Sequence, residues 1–262
     1  MTESLEGLRK FHNWITLQLI IAARRTTNGT KLLDVAVGRG GDIIKWSKAK
    51  IKYVTGFDSD SKSIYEKTNF DGAIKRYNSV KSQINMPRCF FWSMSATDPF
   101  ILNLLNGKDR NCIYDIVSCQ FSFHYFVNDI DVVLNMISQK LRNGGLFIGT
   151  ATDGDIIKHK LQEGNGNLSN EVLEIKTSTD KMYSFELKSC KTSRETYFEY
   201  KGASYEYYLF KEFFINKCLQ HNLHVMHIQN FQEWYTGYNY KNLTENEKMC
   251  SFLNFSFIFK KI

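Results

Sequence analysis

Short apolar runs alternate with longer helical stretches through the first 150 residues, and this alternation constrains the fold more than any other feature. The runs are residues 32–37, 53–57, 89–92, 113–119 and 146–150. Alternating strands and helices predict βαβ units, whose right-handed crossovers build a parallel sheet with helices on both faces. The pattern therefore predicts an α/β chain.

The segments that flank this alternation have other patterns. In residues 8–23 apolar side chains recur at intervals of three and four, which predicts an amphipathic helix ending near Arg24 and Arg25, with a turn at 26–30. Beyond residue 150 we predict a polar loop, a set of short antiparallel strands, a helix and two closing antiparallel strands, at residues 164–170, 172–208, 209–220, 223–228 and 252–259.

We interpret residues 1–262 as one domain, because this length accommodates a single enclosed core. Its parts are an N-terminal helical segment, a core, an insertion and a C-terminal helix with closing strands, at residues 1–30, 31–150, 151–208 and 209–262.

A glycine-containing turn follows the first strand. Residues 32–42 read LLDVAVGRGGD, and the helix is expected to begin near Asp42. Glycines let a backbone turn sharply and approach a ligand closely. The spacing differs from the dinucleotide pattern G-x-G-x-x-G, and an acidic residue ends the preceding strand. A positively charged sulfonium nucleoside therefore fits better than a pyrophosphate. A tight structural turn is the alternative.

The second strand ends in Asp58, 20 residues after Gly38. An acid at this place can accept hydrogen bonds from both ribose hydroxyls. Ligands of open α/β sheets lie outside the carboxyl ends of the strands, so Gly38 and Asp58 should face one crevice.

The fourth strand runs into an aromatic cluster, QFSFHY at residues 120–125. Aromatic faces stack on nucleobases, so this cluster could hold a base beside the nucleoside cofactor. An aromatic run taken by itself is more often part of a hydrophobic core.

Three motifs, in this order, resemble the eukaryotic and viral mRNA cap guanine-N7 methyltransferases. Residues 12–15 (HNWI) are similar to the family's N-N-[FW]-[IM], residues 34–42 to its D-L-G-C-G-K-G-G-D, and residues 120–125 match its Q-F-S-F-H-Y. The resemblance implies a Rossmann-like class I methyltransferase with a mostly parallel seven-stranded sheet, a small antiparallel insertion and S-adenosylmethionine as cofactor.

Site residues follow from the resemblance position by position. The cofactor would contact Asp34, Gly38, Arg39, Asp42, Asp58, Ser59, Ser95, Asp98 and Gln120. The cap guanine would be bordered by Asn13, Phe121, His124, Tyr125 and Glu206. Glu206, in the stretch YEYY, matches the family's glutamate that accepts hydrogen bonds from the guanine N1 and N2 edge. Because guanine N7 has a free lone pair, no general base is expected, and these side chains would act by positioning.

Several positions depart from the family's pattern. Ala36 replaces a motif glycine, Arg39 replaces a lysine, and Thr16 stands where the family has a lysine near the methionine carboxylate. The acid near the adenine corresponds to Ser95 or Asp98, and the family's C-terminal tyrosine falls at or near Asn254. These departures favour a divergent viral member, such as the methyltransferase domain of an asfarvirus-type multifunctional capping enzyme.

The basic charge favours a polyanionic partner, with a solvated helix face as the alternative, and the cysteine pattern favours a reducing compartment. The net charge is +7, and residues 1–80 hold fourteen basic and eight acidic side chains. Six cysteines without C-x-x-C spacing and the absence of a signal sequence or long apolar run predict free thiols, no membrane segment and a cytoplasmic location, at a viral replication site or in the virion if the protein is viral. The family resemblance further implies capped RNA as partner and other capping domains in the same polypeptide.

Three alternatives remain at this stage. The chain could methylate a small molecule or a protein, or it could be a non-catalytic RNA-binding or stimulatory subunit with a degenerate cofactor loop. A metal site at His221, His224 and His227 is a third idea, but this spacing spreads the rings over a helix end and a strand, so no metal is expected.

Overall fold

The computed structural model describes residues 5–83, 85–188, 202–240 and 242–262. The helices are α1 (Glu6–Thr27), α2 (Ile43–Lys48), α3 (Ser61–Tyr65), α4 (Ala73–Val80), α5 (Ile101–Asp109), α6 (Ile130–Lys140), α7 (Gly154–Glu163), α8 (Lys211–Gln220), α9 (Phe231–Thr236) and α10 (Glu245–Ser251). The strands are β1 (Lys31–Val35), β2 (Tyr53–Asp58), β3 (Arg88–Ser93), β4 (Tyr114–Gln120), β5 (Leu141–Thr152), β6 (Asn167–Ser169), β7 (Leu173–Thr177), β8 (Met182–Leu187), β9 (Ser204–Tyr207), β10 (Leu223–Asn230) and β11 (Asn254–Lys261).

Seven strands form the main sheet, in the order β10-β11-β5-β4-β1-β2-β3. The pairs β1–β2, β2–β3, β1–β4 and β4–β5 are parallel. The chain moves outward from β1 to β3 on one side and then returns to place β4 on the other side of β1. The order thus reverses between β1 and β4, and the edge where these strands end is where open α/β sheets bind ligands.

The five apolar runs predicted as strands are all strands. In β1 the last four residues are buried, as expected for the interior of a sheet covered on both faces. β1 ends at Val35, two residues before the predicted end, because Ala36 has a φ of 60° and leaves the extended conformation. β5 begins at Leu141, earlier than predicted, and its register with β4 shifts between Tyr114 and Ile116.

The predicted N-terminal helix is confirmed, but the predicted turn at 26–30 is partly wrong. α1 continues to Thr27, whose hydroxyl donates to the Ala23 carbonyl oxygen at 2.8 Å. Asn28, with a φ of 49°, then ends the helix in the left-handed conformation common after helix C-termini.

The predicted antiparallel strands form a separate four-stranded sheet in the order β6-β7-β8-β9, with every neighbouring pair antiparallel. The polar loop predicted at 164–170 is wrong in part, because β6 lies within it and pairs with β7. Three mostly exposed residues are too short a strand to show a periodic pattern. Residues 189–201, which belong to the predicted insertion, lie outside the described residues.

The chain divides into two compact units. One contains residues 16–150, 215–228 and 257–262, and the other contains residues 1–15, 151–214 and 229–256. The first unit includes β1 to β4, and the second includes the four-stranded sheet with α7, α9 and α10. The interpretation of residues 1–262 as one domain stays a prediction.

The predictions of free thiols and of no membrane segment concern the cysteines and the helices. The described cysteines are free thiols, namely Cys89, Cys112, Cys119, Cys218 and Cys250, whereas Cys190 lies outside the described residues. Within the described ranges, none of the helices combines the length and the apolar character that a membrane crossing requires.

Ala36 provides a test of backbone strain at the end of β1. The left-handed conformation costs an L-residue about 1–2 kcal/mol, whereas glycine adopts it freely but loses about 0.5–1 kcal/mol of chain entropy on folding. We expect Ala36→Gly to raise the free energy of unfolding by about 0.5–1 kcal/mol, measured by urea denaturation. The control is Ala49→Gly at a φ of −80°, which should lower it. A loss of stability in both variants would contradict this account.

Candidate cofactor and acceptor sites

The loop after β1 is tied directly to the end of β2. The Gly38 amide donates to Asp58 Oδ2 at 2.8 Å, and the Val37 amide donates to the Phe57 carbonyl oxygen at 3.0 Å. Gly38 has a φ of 51° and Gly40 a φ of 72°, so the turn uses the conformations that glycine provides. Gly38 and Asp58 therefore lie together, as the sequence predicted.

The Asp58 carboxylate keeps hydrogen-bonding capacity beyond these contacts. Its Oδ1 accepts from the Asp60 amide at 2.9 Å, and its Oδ2 accepts from Gly38. A carboxylate offers about four acceptor sites, and the Ser59 amide is a third donor to this one, so capacity remains for a ribose hydroxyl. Burial raises the pKa of Asp58, and the amides of Asp60 and Gly38 oppose that effect by stabilising the charged form.

The glycines of the loop differ in what surrounds them. A Cβ placed on Gly38 or Gly41 would have no heavy atom within 4 Å, whereas one on Gly40 would lie 2.5 Å from Ile43 Cδ1. Gly40 thus permits internal packing against α2, while Gly38 and Gly41 border open space. Open space beside Gly38 and an acid within hydrogen-bonding distance of it fit a nucleoside with a ribose.

Two further acids of the loop motif are buried. Asp34 in β1 is 3% exposed and Asp42, before α2, is 8% exposed. Asp42 forms an ion pair with Lys45. The pKa of Asp34 is raised well above its ordinary value, first by burial and then by the negative charges of Asp42 and Asp58. Asp34 therefore lies in an environment that favours its protonated form.

Arg39 points toward α4. Its Nε donates to the Asp71 carbonyl oxygen at 3.1 Å, and its guanidinium carbon lies 4.2 Å from the centre of the Phe70 ring. Arg76 in turn donates to the Arg39 carbonyl oxygen at 3.0 Å. The guanidinium thus packs on an aromatic face.

The remaining predicted cofactor residues follow β2 and β3. Ser59 is exposed directly after Asp58, and Ser95 and Asp98 are half-buried in the loop after β3. Ser95 Oγ lies 2.9 Å from Thr97 Oγ1, and Asp98 Oδ1 accepts from the Phe100 amide at 2.8 Å. Both side chains therefore stabilise the same turn, and both stay candidates for the adenine contact.

Gln120 and Phe121 mark the end of β4. Gln120 Oε1 accepts from the Thr150 hydroxyl at 3.1 Å, and its Nε2 donates to Ser118 Oγ at 3.0 Å. Phe121 has a φ of 54°, which is a strained conformation for a bulky residue, and its amide donates to the Thr150 carbonyl oxygen at 2.9 Å. Strained residues of this kind cluster at functional sites.

The aromatic cluster after β4 separates into core and surface parts. Phe123 is fully buried against Phe147 and Phe257, so for this ring the core interpretation is right. His124 is 3% exposed and Tyr125 is 41% exposed, with ring centres 4.3 Å apart. Tyr125 thus presents an accessible aromatic surface beside a buried imidazole.

The other compact unit contains Asn13 and Glu206. Asn13 is exposed on α1. Glu206 on β9 is 4% exposed, and both of its carboxylate oxygens have donors: Tyr183 Oη lies 2.7 Å from Oε2 and Ser204 Oγ lies 3.0 Å from Oε1. Sequence reasoning did not single out Tyr183 or Ser204. Strand register would have found Tyr183, which pairs directly with Glu206 across β8 and β9, and the alternation of side chains along β9 would have found Ser204.

Two positions that depart from the family's pattern are buried. Thr16 is 1% exposed on α1. Asn254 is 7% exposed at the start of β11, and its Nδ2 donates to the carbonyl oxygens of Ser251 at 3.0 Å and Cys250 at 3.3 Å. The amide of Asn254 therefore has a structural role at the end of α10.

A cavity and the possible metal-binding side chains are the other candidate sites in the described residues. A cavity of about 270 Å³ lies beside α5 and α6, and none of the predicted site residues lines it. In the part of the chain that the structure describes, no group of three or more His, Cys, Asp or Glu side chains could hold a metal ion.

Known proteins resemble this chain in sequence and in fold. It matches the family described as mRNA (guanine-N(7))-methyltransferase domain over residues 3–255. A probable mRNA-capping enzyme of Acanthamoeba polyphaga mimivirus is 31% identical over 212 residues, which cover 69% of this chain and 18% of that protein. The mRNA cap guanine-N(7) methyltransferase 1 of Arabidopsis thaliana is 35% identical over 163 residues, covering 61% of this chain and 42% of that protein.

Solved structures support the fold. A S-adenosylmethionine-dependent methyltransferase from Clostridium acetobutylicum superposes with a TM-score of 0.58 at 17% identity, covering 96% of this chain and 92% of that one. One from Mesorhizobium loti gives 0.54 at 13% identity, covering 97% and 100%. The predicted class I methyltransferase fold is thus confirmed.

The matched segments amount to less than half the length of both curated relatives. The family match, in contrast, extends over nearly the whole of this chain. The chain belongs to the mRNA (guanine-N(7))-methyltransferase domain family.

Proposed function

We propose that this chain transfers a methyl group from S-adenosylmethionine to N7 of the guanosine cap at the 5′ end of mRNA. The observation that carries the proposal is the family match over residues 3–255, which includes the loop and acid joined by the Gly38–Asp58 hydrogen bond. The basic excess of the first 80 residues agrees with an RNA substrate.

The cofactor would lie at the edge of the sheet where β1 and β2 end. S-adenosylmethionine supplies a methyl group bonded to a positively charged sulfur. Asp58 would accept hydrogen bonds from its ribose hydroxyls, and Gly38 would allow close approach of the backbone. The other proposed contacts are Asp34, Arg39, Asp42, Ser59, Ser95, Asp98 and Gln120.

The acceptor residues would position guanine rather than move a proton. Guanine N7 has a free lone pair at neutral pH, so attack on the methyl carbon needs no general base. Phe121 and Tyr125 would offer aromatic faces to the purine, His124 would support Tyr125, and Asn13 would border the base. Holding reactants in an aligned geometry can by itself supply several kcal/mol of the barrier.

Glu206 would distinguish guanine from adenine. Its carboxylate can accept the N1 and N2 hydrogens of guanine, whereas adenine presents an acceptor at N1. Methylation at N7 places a positive charge on the purine, and a nearby carboxylate favours that charge as it develops. Both recognition and electrostatic stabilisation would thus come from one side chain.

The lengths of the relatives suggest that this domain is part of a longer polypeptide. Because the mimivirus protein is named a capping enzyme and is matched over only 18% of its length, we propose that other capping domains accompany this one in the same polypeptide. A cytoplasmic site of action, such as a viral replication site, is the corresponding location. The stimulatory-subunit alternative predicts RNA binding without methyl transfer.

The first experiment is to identify the methylated product. The protein is incubated with S-adenosylmethionine labelled in its methyl group and with GpppA-capped or uncapped RNA, and the digested nucleosides are separated. We expect label in 7-methylguanosine with capped RNA alone. Label on a ribose 2′-hydroxyl, or on uncapped RNA, would contradict the proposed acceptor.

Asp58→Ala tests the ribose contact. Loss of hydrogen bonds to a charged acceptor should weaken cofactor binding by about tenfold to a hundredfold, measured by calorimetry. Asp60→Ala is the matched control, because Asp60 caps α3 through the amides of Lys62 and Ser63. The control should lose about 1 kcal/mol of stability and keep its cofactor affinity. Equal affinities in the two variants would remove Asp58 from the site.

Glu206→Ala tests guanine recognition. We expect kcat/KM for the capped substrate to fall about a hundredfold, because two hydrogen bonds to a charged group are lost, while cofactor affinity stays unchanged. Glu186→Ala, on the neighbouring strand β8, is the control and should retain activity. Retained methylation of capped RNA by Glu206→Ala would exclude the proposed role.

A further inference from the structure

Glu206 lies in a chain of hydrogen bonds within the compact unit that contains the four-stranded sheet. Tyr183 Oη is 2.7 Å from Glu206 Oε2 and 2.8 Å from Thr152 Oγ1. A phenol has one proton, and an ionised carboxylate can only accept. Tyr183 therefore donates to Glu206, and the Thr152 hydroxyl donates to the Tyr183 oxygen.

The geometry of the two strands fixes this contact. Tyr183 on β8 is the direct partner of Glu206 on β9, so both side chains project from the same face of the sheet. Ser204, two residues before Glu206, shares that face, and its hydroxyl lies 3.0 Å from Oε1 and 3.2 Å from the Phe185 carbonyl oxygen. Each oxygen of the carboxylate thus has its own donor.

The two donors differ in how firmly they hold the carboxylate. Tyr183 is fully buried, and its ring packs against Tyr208 at a centre distance of 5.0 Å. Ser204 is half-buried, and its single proton can be given either to Glu206 or to Phe185. Tyr183 is consequently the donor that determines where Oε2 lies.

We propose that Tyr183 is a positioning residue for base recognition, which orients the Glu206 carboxylate so that it receives the N1 and N2 hydrogens of the cap guanine. The inference rests on the proposed function. A carboxylate that is already oriented can receive two parallel donors with little loss of rotational freedom, whereas a free one must be ordered by the ligand. Tyr183 acts through Glu206 and not on the reacting atoms.

The test compares two caps that differ at one group. GpppA and IpppA share N7 and N1–H, but hypoxanthine lacks the N2 amino group. We expect the unmodified chain to prefer GpppA in kcat/KM by about tenfold, the effect of one hydrogen bond to a charged acceptor. Tyr183→Phe should reduce this preference about fivefold and raise KM for GpppA, with cofactor affinity unchanged.

Tyr208→Phe is the matched control. It removes a hydroxyl from the same buried pair of rings, but this hydroxyl interacts with Thr177. The control should keep the preference for GpppA. Ser204→Ala removes the second donor and should leave most of the preference for GpppA, which provides a test even if Tyr183→Phe fails to fold.

The outcomes separate this inference from the proposed function. If Tyr183→Phe slows both caps equally, or if Tyr208→Phe reduces the preference as much, Tyr183 is merely structural and the inference is overturned while the function stands. If Ser204→Ala has the larger effect, Tyr183 is not the determining donor. If the unmodified chain does not methylate guanine N7 of GpppA, the proposed function fails and the inference fails with it.

Discussion

Parallel pairing of β1 with both β2 and β4 places three strand ends at one edge of the sheet, and the Gly38–Asp58 hydrogen bond depends on this arrangement. The bond joins the backbone of one loop to the side chain that ends the next strand. It positions Asp58 while leaving acceptor capacity for a ligand on the carboxylate. The proposed cofactor contacts depend on it, because a shift of either strand would separate the glycine from the acid.

The backbone is strained directly after β1 and directly after β4, the two strands between which the strand order reverses. Ala36 after β1 and Phe121 after β4 have φ angles of 60° and 54°. Each is held by a backbone hydrogen bond close by, from Val37 to Phe57 and from Phe121 to Thr150. This conformation costs about 1–2 kcal/mol at each residue, and strained residues of this kind cluster at functional sites.

Local sequence patterns predicted the main sheet and the loop after β1 well. The strands of the main sheet, the loop after β1 and the proximity of Gly38 to Asp58 follow from apolar runs and glycine spacing, which act over short stretches of sequence. The same reasoning missed α7, and it missed β6, α9 and α10 because short polar or mixed segments carry no period. It also could not separate Phe123, which is core, from Tyr125, which is exposed.

Glu206 shows why the proposed guanine-recognition residues were harder to predict than the cofactor loop. A carboxylate that is 4% exposed must have hydrogen-bond donors, since a buried charge without them is strongly destabilising. The sequence alone does not show this burial, and the pairing of β8 with β9 decides which residues supply the donors. Burial of Glu206 therefore affects its orientation as well as its stability. The same contacts that make the charge tolerable also fix its direction, so stability of the four-stranded sheet and discrimination between bases depend on the same hydrogen bonds.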